Sequence, residues 1–161
     1  RCGRKRWLSS SGKLRRANRR ATFAPMTDPT IPASTLDVIR DSTFRRLGPY
    51  RWVKASRVGD PTRHLLVMRD DRETTVVTRE ADLEDLDVLA ENPDRWELLA
   101  IDCASPFYCV GFVAQISGAL TKAGLDILFT STFSRDWVFV KQAQAEHASE
   151  VLTAIGIQKR E

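Results

Sequence analysis

The sequence predicts an α+β protein in which helices pack on one face of an antiparallel sheet. Residues 95–161 show the order strand, helix, strand, strand, helix, followed by a short run that reads as an edge strand. Residues 35–93 are rich in β-runs and contain one leucine-rich segment with helical spacing. The chain has 161 residues, of which 42% are hydrophobic, which is sufficient for a buried core.

The first half is predicted to contain mostly strands. Residues 27–34 hold two prolines and read as a linker. Residues 35–40 alternate briefly, which is typical of an edge strand, and residues 50–55 alternate apolar and polar side chains more regularly. Because Gly48 and Pro49 before the second run favour a turn, we expect two separate strands.

A hairpin and a helix are predicted next. Residues 64–68 and 74–78 are β-rich runs joined by a polar loop, and they follow a turn at residues 59–61. Over residues 80–91, leucines at three-residue steps predict a short amphipathic helix. The Asn-Pro pair at residues 92–93 ends this helix, because the residue before a proline avoids the helical conformation.

The second half begins with a strand and a helix. Residues 96–101 are apolar with little alternation, which indicates a central strand that is buried on both faces. From Gly111 to Ala123, apolar residues recur at steps of three and four, which predicts a helix. Gly124 follows as its C-terminal cap, where glycine adopts a left-handed conformation at little cost.

A second hairpin and a second helix complete the chain. Residues 125–132 and 137–141 predict antiparallel strands joined by a turn at residues 134–136. Residues 142–154 predict a helix, and residues 157–161 read as a last edge strand. Two helices on one face of such a sheet correspond to the ferredoxin-like βαββαβ plan, of which the first half is a reduced or altered version.

Several stretches carry a resemblance to a known family. Residues 120–127 resemble its helix end and second strand, and residues 131–141 carry its Ser-Thr-aromatic, Asp-aromatic and Val-Lys signature. Glu73 opens a run similar to its Glu-(Ser/Thr)-x-x-Val strand, and Phe107 and Gly111 stand where the family keeps a Phe and a helix-opening Gly. On these residues the chain resembles the ACT domain, most closely the subfamily of the cytosolic arginine sensors (the CASTOR type) and small two-ACT proteins.

The resemblance implies a site for a free amino acid at the junction between two ACT-like halves. Backbone N–H groups of Cys109, Val110 and Gly111, at the predicted helix start, would receive the α-carboxylate, since a helix N-terminus favours an anion. Asp136 is placed to receive the α-ammonium, and Thr132 and Phe133 would form the wall. The candidate ligand-binding residues are Phe107, Cys109, Val110, Gly111, Thr132, Phe133 and Asp136.

Each candidate also has a structural interpretation. Asp136 is a common turn residue, Gly111 relieves crowding between a helix and a sheet, and Phe133 and Phe107 are aromatic residues that suit a core. The run at residues 103–106 departs from the family, which has Gly-Pro-Leu-Asp there where this chain has Cys-Ala-Ser-Pro. The departure affects a loop that contacts the ligand in relatives, so the identity of the ligand stays open.

An arginine-rich tail precedes the body and is expected to be disordered. Residues 1–25 hold nine Lys and Arg residues and no acidic residue, which leaves 16 basic side chains against 21 acidic ones in the rest of the chain. Three interpretations stay open: a mitochondrial transit peptide, a segment that binds nucleic acid or another anionic surface, or a segment without a role in the fold before a native start at Met26. Because the body is mildly acidic, we do not expect it to bind nucleic acid.

The predicted organisation and chemistry favour a binding protein over an enzyme. We expect a basic tail and linker over residues 1–34, a reduced ACT-like half over residues 35–93 and an ACT domain over residues 94–161. The three cysteines lack the spacing of a zinc site, the two histidines are far apart, and no common nucleophile, phosphate-loop or metalloprotease motif occurs. We therefore expect no catalytic residue, no metal, no cofactor and no membrane span.

The leading hypothesis is a cytoplasmic regulatory protein that binds a free amino acid and then changes its contacts with a protein partner or a second copy. The location would be mitochondrial if residues 1–25 act as a transit peptide. The alternative is an interaction or oligomerisation module with a degenerate pocket, which the altered run at residues 103–106 motivates. Exposed sheet edges or the surfaces at Trp52 and Trp137 would then mediate assembly.

Overall fold

The central element of the fold is one long strand, β1 (Thr43–Val58), in a computed structural model that describes residues 33–105 and 109–161. The first part of β1 pairs antiparallel with β5 (Trp96–Asp102). Its second part pairs antiparallel with β3 (Thr74–Thr78) on one side and with β4 (Leu86–Glu91) on the other. Strand β1 therefore hydrogen-bonds to strands of both halves of the sequence.

The second half has the predicted order of elements. After β5 come α2 (Phe112–Lys122), β6 (Ile127–Ser131), β7 (Asp136–Lys141) and α3 (Ala145–Ala154). Strand β7 lies between β5 and β6, antiparallel to both. The short strand β8 (Gln158–Lys159) pairs in parallel with the start of β1. Strand β1 therefore lies between β8 and β5 at this end of the sheet. The predicted α+β class and the ferredoxin-like arrangement of helices on an antiparallel sheet are confirmed.

The first half contains a helix and three further strands. Helix α1 (Ala33–Asp41) precedes β1, and β2 (Leu66–Arg69) pairs antiparallel with β3 as the predicted hairpin. Short 3₁₀ helices cover Pro61–Arg63 and Glu80–Asp85. The prediction of a disordered tail over residues 1–25 lies outside the described residues.

Two predictions about the start of the body are wrong. The segment predicted as an edge strand over residues 35–40 lies in α1, because buried Thr35 and Ile39 are four residues apart and share one helix face. Gly48 and Pro49 do not form a turn between strands, since they lie inside β1, joined by a cis peptide bond. The ladder with β5 shifts its register between Leu47 and Tyr50.

The prediction of a helix over residues 80–91 is also wrong. This segment forms a 3₁₀ helix over Glu80–Asp85 and then the strand β4. Leu86 is buried, whereas Leu89 is 62% exposed, so the leucine spacing does not mark a buried helical stripe. Pairing of β4 with the second part of β1 satisfies the backbone of the segment and overrides its local helical pattern.

Strand β5 is buried on both faces, as its uniform apolar sequence predicts. Leu99 and Ile101 face the helices and belong to the main core, which also contains Ile39, Phe44, Phe112, Ile116, Leu120, Val138, Leu152 and Ile157. Leu98 and Ala100 point to the opposite face and pack with Tyr50, Val77, Trp96 and Phe139. Trp52 and Trp137, which the sequence offers as assembly surfaces, are partly buried and pack against this second core.

The buried side chain of His64 links the segment after β1 to Thr78 and Asp85 through contacts at hydrogen-bond distance. His64 Nδ1 lies 2.8 Å from Thr78 Oγ1, and His64 Nε2 lies 3.2 Å from Asp85 Oδ2. The same carboxylate oxygen accepts a hydrogen bond from the backbone N–H of Asp60 at 2.7 Å. Because Thr78 and the His64 ring are fully buried, this group of side chains serves the fold.

Among the described residues, no helix has the length and apolar character needed to cross a membrane.

Candidate functional site

A cavity of about 330 Å³ lies between the start of α2 and the turn that joins β6 and β7. Its floor is the buried ring of Phe112, and its rim includes polar side chains of the hairpin turn. The described lining residues are Cys103, Ser105, Cys109, Phe112, Val113, Ser131, Thr132, Phe133, Ser134, Arg135 and Asp136. All of them belong to the second half, whereas the sequence predicted a site at the junction of the two halves.

The β6–β7 hairpin presents one side of the cavity. Ser131 and Asp136 are direct partners in the ladder, and the Ser131 hydroxyl donates to Asp136 Oδ1 at 2.5 Å. The backbone N–H of Thr132 donates to the Arg135 carbonyl at 2.8 Å, which closes the turn. The hydrogen bond from Ser131 therefore orients the Asp136 carboxylate at the start of β7.

Arg135 places a positive charge beside this carboxylate. Its Nε donates to Asp102 Oδ1 at 2.6 Å, and Asp102 is the last residue of the central strand β5. Among the described residues, no contact engages the two terminal guanidinium nitrogens of Arg135, which remain available as a fork of donors. The cavity thus carries one cationic and one anionic side chain on consecutive residues.

The opposite side of the cavity is the entrance to helix α2. Gly111 is its N-terminal cap with a φ of +85°, a left-handed conformation that favours glycine. The N–H of Phe112 donates to the carbonyl of Cys109 at 3.2 Å, and the N–H of Gln115 donates to the carbonyl of Gly111 at 2.9 Å. The first turn of a helix has N–H groups without partners inside the helix, and these attract an anion.

Helix α1 of the first half supports this entrance from behind. The Thr35 hydroxyl donates to the carbonyl of Val110 at 2.7 Å and lies 3.7 Å from the Cys109 sulfur. The Ser42 hydroxyl, just after α1, accepts a hydrogen bond from the N–H of Ala104 at 3.0 Å. The first half therefore contacts both ends of the loop that borders the cavity, although it supplies none of the described lining.

Two free cysteines line the cavity, and both are half-buried. Burial raises the pKa of the Cys103 thiol above its ordinary value, and the nearby Asp136 carboxylate acts in the same direction. Cys103 is therefore held as a neutral thiol at physiological pH, which suits a wall of the cavity better than a nucleophile.

Four of the seven candidate residues from the sequence line the cavity: Cys109, Thr132, Phe133 and Asp136. Val110, which is 79% exposed, and Gly111 are not among its described lining residues. Phe107 lies outside the described residues. Phe133 is 88% exposed, so packing in a core does not explain its place in the sequence.

The sequence did not predict Arg135, Ser131 and Cys103 as lining residues, nor Ser105, Phe112, Val113 and Ser134. A signal for Ser131 was present, because it opens the Ser-Thr-aromatic run that carries the family resemblance. Arg135 was treated only as part of a turn, and its ion pair with Asp102 depends on β7 lying beside β5, which local patterns do not specify.

A second cavity of about 360 Å³ lies along the outer side of α3. Its described lining residues are Glu146, Ser149, Glu150, Thr153, Ala154 and Lys159. Glu146 there is tied to Arg46 at 2.6 Å, and Lys159 lies 3.8 Å from Glu146. The charged side chains of this cavity thus already have partners, Glu146 in Arg46 and Lys159, and Glu150 in His147 at 3.5 Å.

Comparison with known families confirms the family resemblance of the second half. Residues 91–154 match the family model described as ACT domain. This segment contains β5, α2, β6, β7 and α3, and hence every described residue that lines the first cavity. No curated protein sequence matches the chain.

Solved structures share the fold at low sequence identity. A Vibrio cholerae protein of unknown function, described as a possible transport protein, has a TM-score of 0.60 at 16% identity over 76% of this chain and 96% of its own. A protein from Agrobacterium tumefaciens has a TM-score of 0.57 at 20% identity over 73% and 92%. The ligand-free regulatory subunit of aspartate kinase from Thermus thermophilus has a TM-score of 0.50 at 11% identity over 68% and 93%.

Proposed function

We propose that this chain is a non-catalytic regulatory protein that binds a free amino acid in the cavity between the start of α2 and the β6–β7 turn. The observation that carries the proposal is the pair of opposite charges, Arg135 and Asp136, on one cavity of about 330 Å³. A free amino acid carries the complementary pair of charges on neighbouring atoms. The ACT match of residues 91–154 supports a regulatory binding role for the same segment.

The head group would bind across the cavity. The α-ammonium would donate to the Asp136 carboxylate, whose Oδ1 is already oriented by Ser131. The α-carboxylate would accept from the terminal nitrogens of Arg135 and from N–H groups in the first turn of α2. This mode replaces part of the predicted one, in which the N–H groups of Cys109, Val110 and Gly111 held the carboxylate.

The first half would act as a support for this site. Thr35 and Ser42 hold the loop that borders the cavity, so binding at the lining would still depend on the contact between residues 35–93 and residues 94–161. The proposal therefore keeps the predicted organisation into two halves, with the first half supporting a site in the second. The arginine-sensor subtype remains a prediction that rests on the sequence resemblance.

A catalytic role is disfavoured by the chemistry of the cavity. His64 is buried in the first half and His147 lies on α3, so neither described histidine lines the cavity as a base for a thiol or hydroxyl. A regulatory protein of this kind would respond to its ligand by changing its contacts with a protein partner or a second copy, and we expect it to do so in the cytoplasm.

A thermal-shift screen of the chain against the twenty amino acids at millimolar concentration tests the proposal. Binding to the folded state raises the melting temperature by mass action, so at least one amino acid should do so. Asp136→Asn should abolish the shift. The matched control is Asp126→Asn, because Asp126 is an exposed acid outside the cavity, and it should leave the shift unchanged. No shift with any amino acid would overturn the proposal.

An assembly module is the second candidate, and the exposed apolar side chains of β4 favour it. Val88 and Leu89 are 41% and 62% exposed on a strand that pairs with β1. Exposed apolar strands of this kind can pair with another chain. Light scattering that shows a defined oligomer, unchanged by amino acids and lost in Leu89→Lys, would support this function over ligand binding.

A further inference from the structure

We infer that the ligand of this cavity is an amino acid with an uncharged, apolar side chain, from about valine to phenylalanine in size. The inference rests on the proposed function, because it assigns the side-chain class of the ligand that the cavity is proposed to hold. It is carried by the composition of the lining and by the exposure of its apolar members.

In the proposed binding mode, the α-ammonium and α-carboxylate of the ligand pair with both charged side chains of the described lining. Among the described lining residues, Asp136 is the one acid and Arg135 the one base. Residues 106–108, which the structure does not describe, contain no Asp, Glu, Lys or Arg. Asp102 is outside the described lining and already accepts from the Nε of Arg135 at 2.6 Å.

A charged ligand side chain would therefore enter the cavity without a partner. A guanidinium or an ammonium group would need a second carboxylate, and a carboxylate would need a second base. Removing an unpaired charge from water is strongly unfavourable. This cost selects against basic and acidic amino acids as ligands. The ligand specificity of this chain would therefore differ from the arginine specificity that its sequence resemblance suggests.

The rest of the lining offers apolar surface to an apolar side chain. Phe112 is 2% exposed and forms a rigid floor that belongs to the main core. Val113 is 46% exposed at the start of α2, and Phe133 is 88% exposed on the opposite side, in the hairpin turn. A ligand side chain between them would remove apolar surface of both walls from water.

The volume restricts the size of the ligand. Pockets for small molecules range from about 300 to 1,000 Å³, and this cavity of about 330 Å³ is at the lower end of that range. This volume suits one amino acid with a branched or aromatic side chain.

Calorimetric titration of the full chain with four groups of amino acids tests the inference. The groups are leucine, isoleucine, methionine and phenylalanine; alanine and glycine; arginine and lysine; and aspartate and glutamate. The tightest apolar ligand should bind at least about tenfold more tightly than alanine and than arginine, since even one methylene in an apolar pocket gives about tenfold discrimination. If arginine, a dicarboxylic amino acid or a small amino acid binds most tightly, the inference is overturned and the proposed function stands. If none binds, both are overturned.

A pair of substitutions on the hairpin adds a control. Phe133→Ser should weaken leucine or phenylalanine binding by about five- to tenfold and leave alanine binding nearly unchanged. Leu128→Ser replaces a 38% exposed apolar residue of β6 that is outside the described lining, and it should change neither affinity. An equal loss for alanine and leucine in Phe133→Ser would contradict the assigned contact, as would no loss at all.

Discussion

Ser131 and Asp136 form a direct cross-strand pair at the end of the β6–β7 hairpin, and the Ser131 hydroxyl donates to Asp136 Oδ1 at 2.5 Å. The pair connects a feature of the fold to the proposed chemistry. The hairpin register sets the two residues opposite each other, and the hydrogen bond then fixes the carboxylate that would bind the ligand's ammonium.

Ser131→Ala should weaken amino acid binding by about three- to tenfold, because a hydrogen bond to a charged group contributes about 1.5–3 kcal/mol and part of it orients Asp136. The melting temperature should change little, since Ser131 is exposed. Titration calorimetry measures the affinity. Ser56→Ala is the control, because Ser56 is an exposed hydroxyl that donates to the Asp87 carbonyl far from the cavity in sequence. Unchanged affinity in Ser131→Ala would remove the orienting role.

Arg135→Gln should weaken binding by tenfold or more, because it removes the positive charge proposed to hold the ligand's carboxylate. Arg135→Lys should recover only part of the loss, since lysine lacks the planar fork of donors. The ion pair with Asp102 is partly exposed, so its loss should cost less than about 1 kcal/mol of stability. Full affinity in Arg135→Gln, measured by the same titration, would assign the carboxylate to the α2 backbone alone.

Two glycines of the α2 segment should respond in opposite directions to substitution by alanine. Gly111→Ala should destabilise the fold by about 1–2 kcal/mol, because Gly111 has a φ of +85° that an alanine adopts at a cost. Gly118→Ala should stabilise it by about 0.5–1 kcal/mol, since a Cβ at this helical position meets open space. Urea unfolding measures both changes. The same sign for both variants would contradict the assigned conformation of Gly111.

Cys103 should react slowly with iodoacetamide at neutral pH. Burial raises the pKa of its thiol, so less thiolate is present at neutral pH than in the unfolded chain, and the rate should rise only as the pH increases beyond the ordinary thiol pKa of about 8.5. A saturating amino acid should slow the reaction further by filling the cavity. Peptide mapping by mass spectrometry follows Cys103 separately. A neutral-pH rate equal to that of the chain in guanidinium would show that the thiol is not held as described.

The parts of the fold that were predicted correctly depend on patterns within one element. The uniformly apolar sequence of β5 predicts a central strand, and both faces of β5 are buried. Glycine at position 124 predicts the end of α2, and Gly124 has the left-handed conformation of a helix cap. The β6–β7 hairpin was equally clear from two β-rich runs around a polar turn.

The errors occurred where a short segment suited two structures. Residues 35–40 alternate like a strand but bury Thr35 and Ile39 at helical spacing. The leucines of residues 80–91 have the spacing of a helix, but pairing of β4 with β1 makes the second part of this segment a strand. For the site, Asp136 and Thr132 could be predicted because they border the turn between β6 and β7. Arg135 could not, since its contact with Asp102 requires the order of strands in the sheet.

Amide chemical shifts of the ¹⁵N-labelled chain, titrated with the amino acid that stabilises it most, test the central claim directly. We expect shifts at the start of α2 and in the turn between Ser131 and Asp136, with none at Ser149 and Glu150, which line the second cavity. Shifts confined to α3, or to the exposed strand β4, would place the ligand elsewhere and contradict the account.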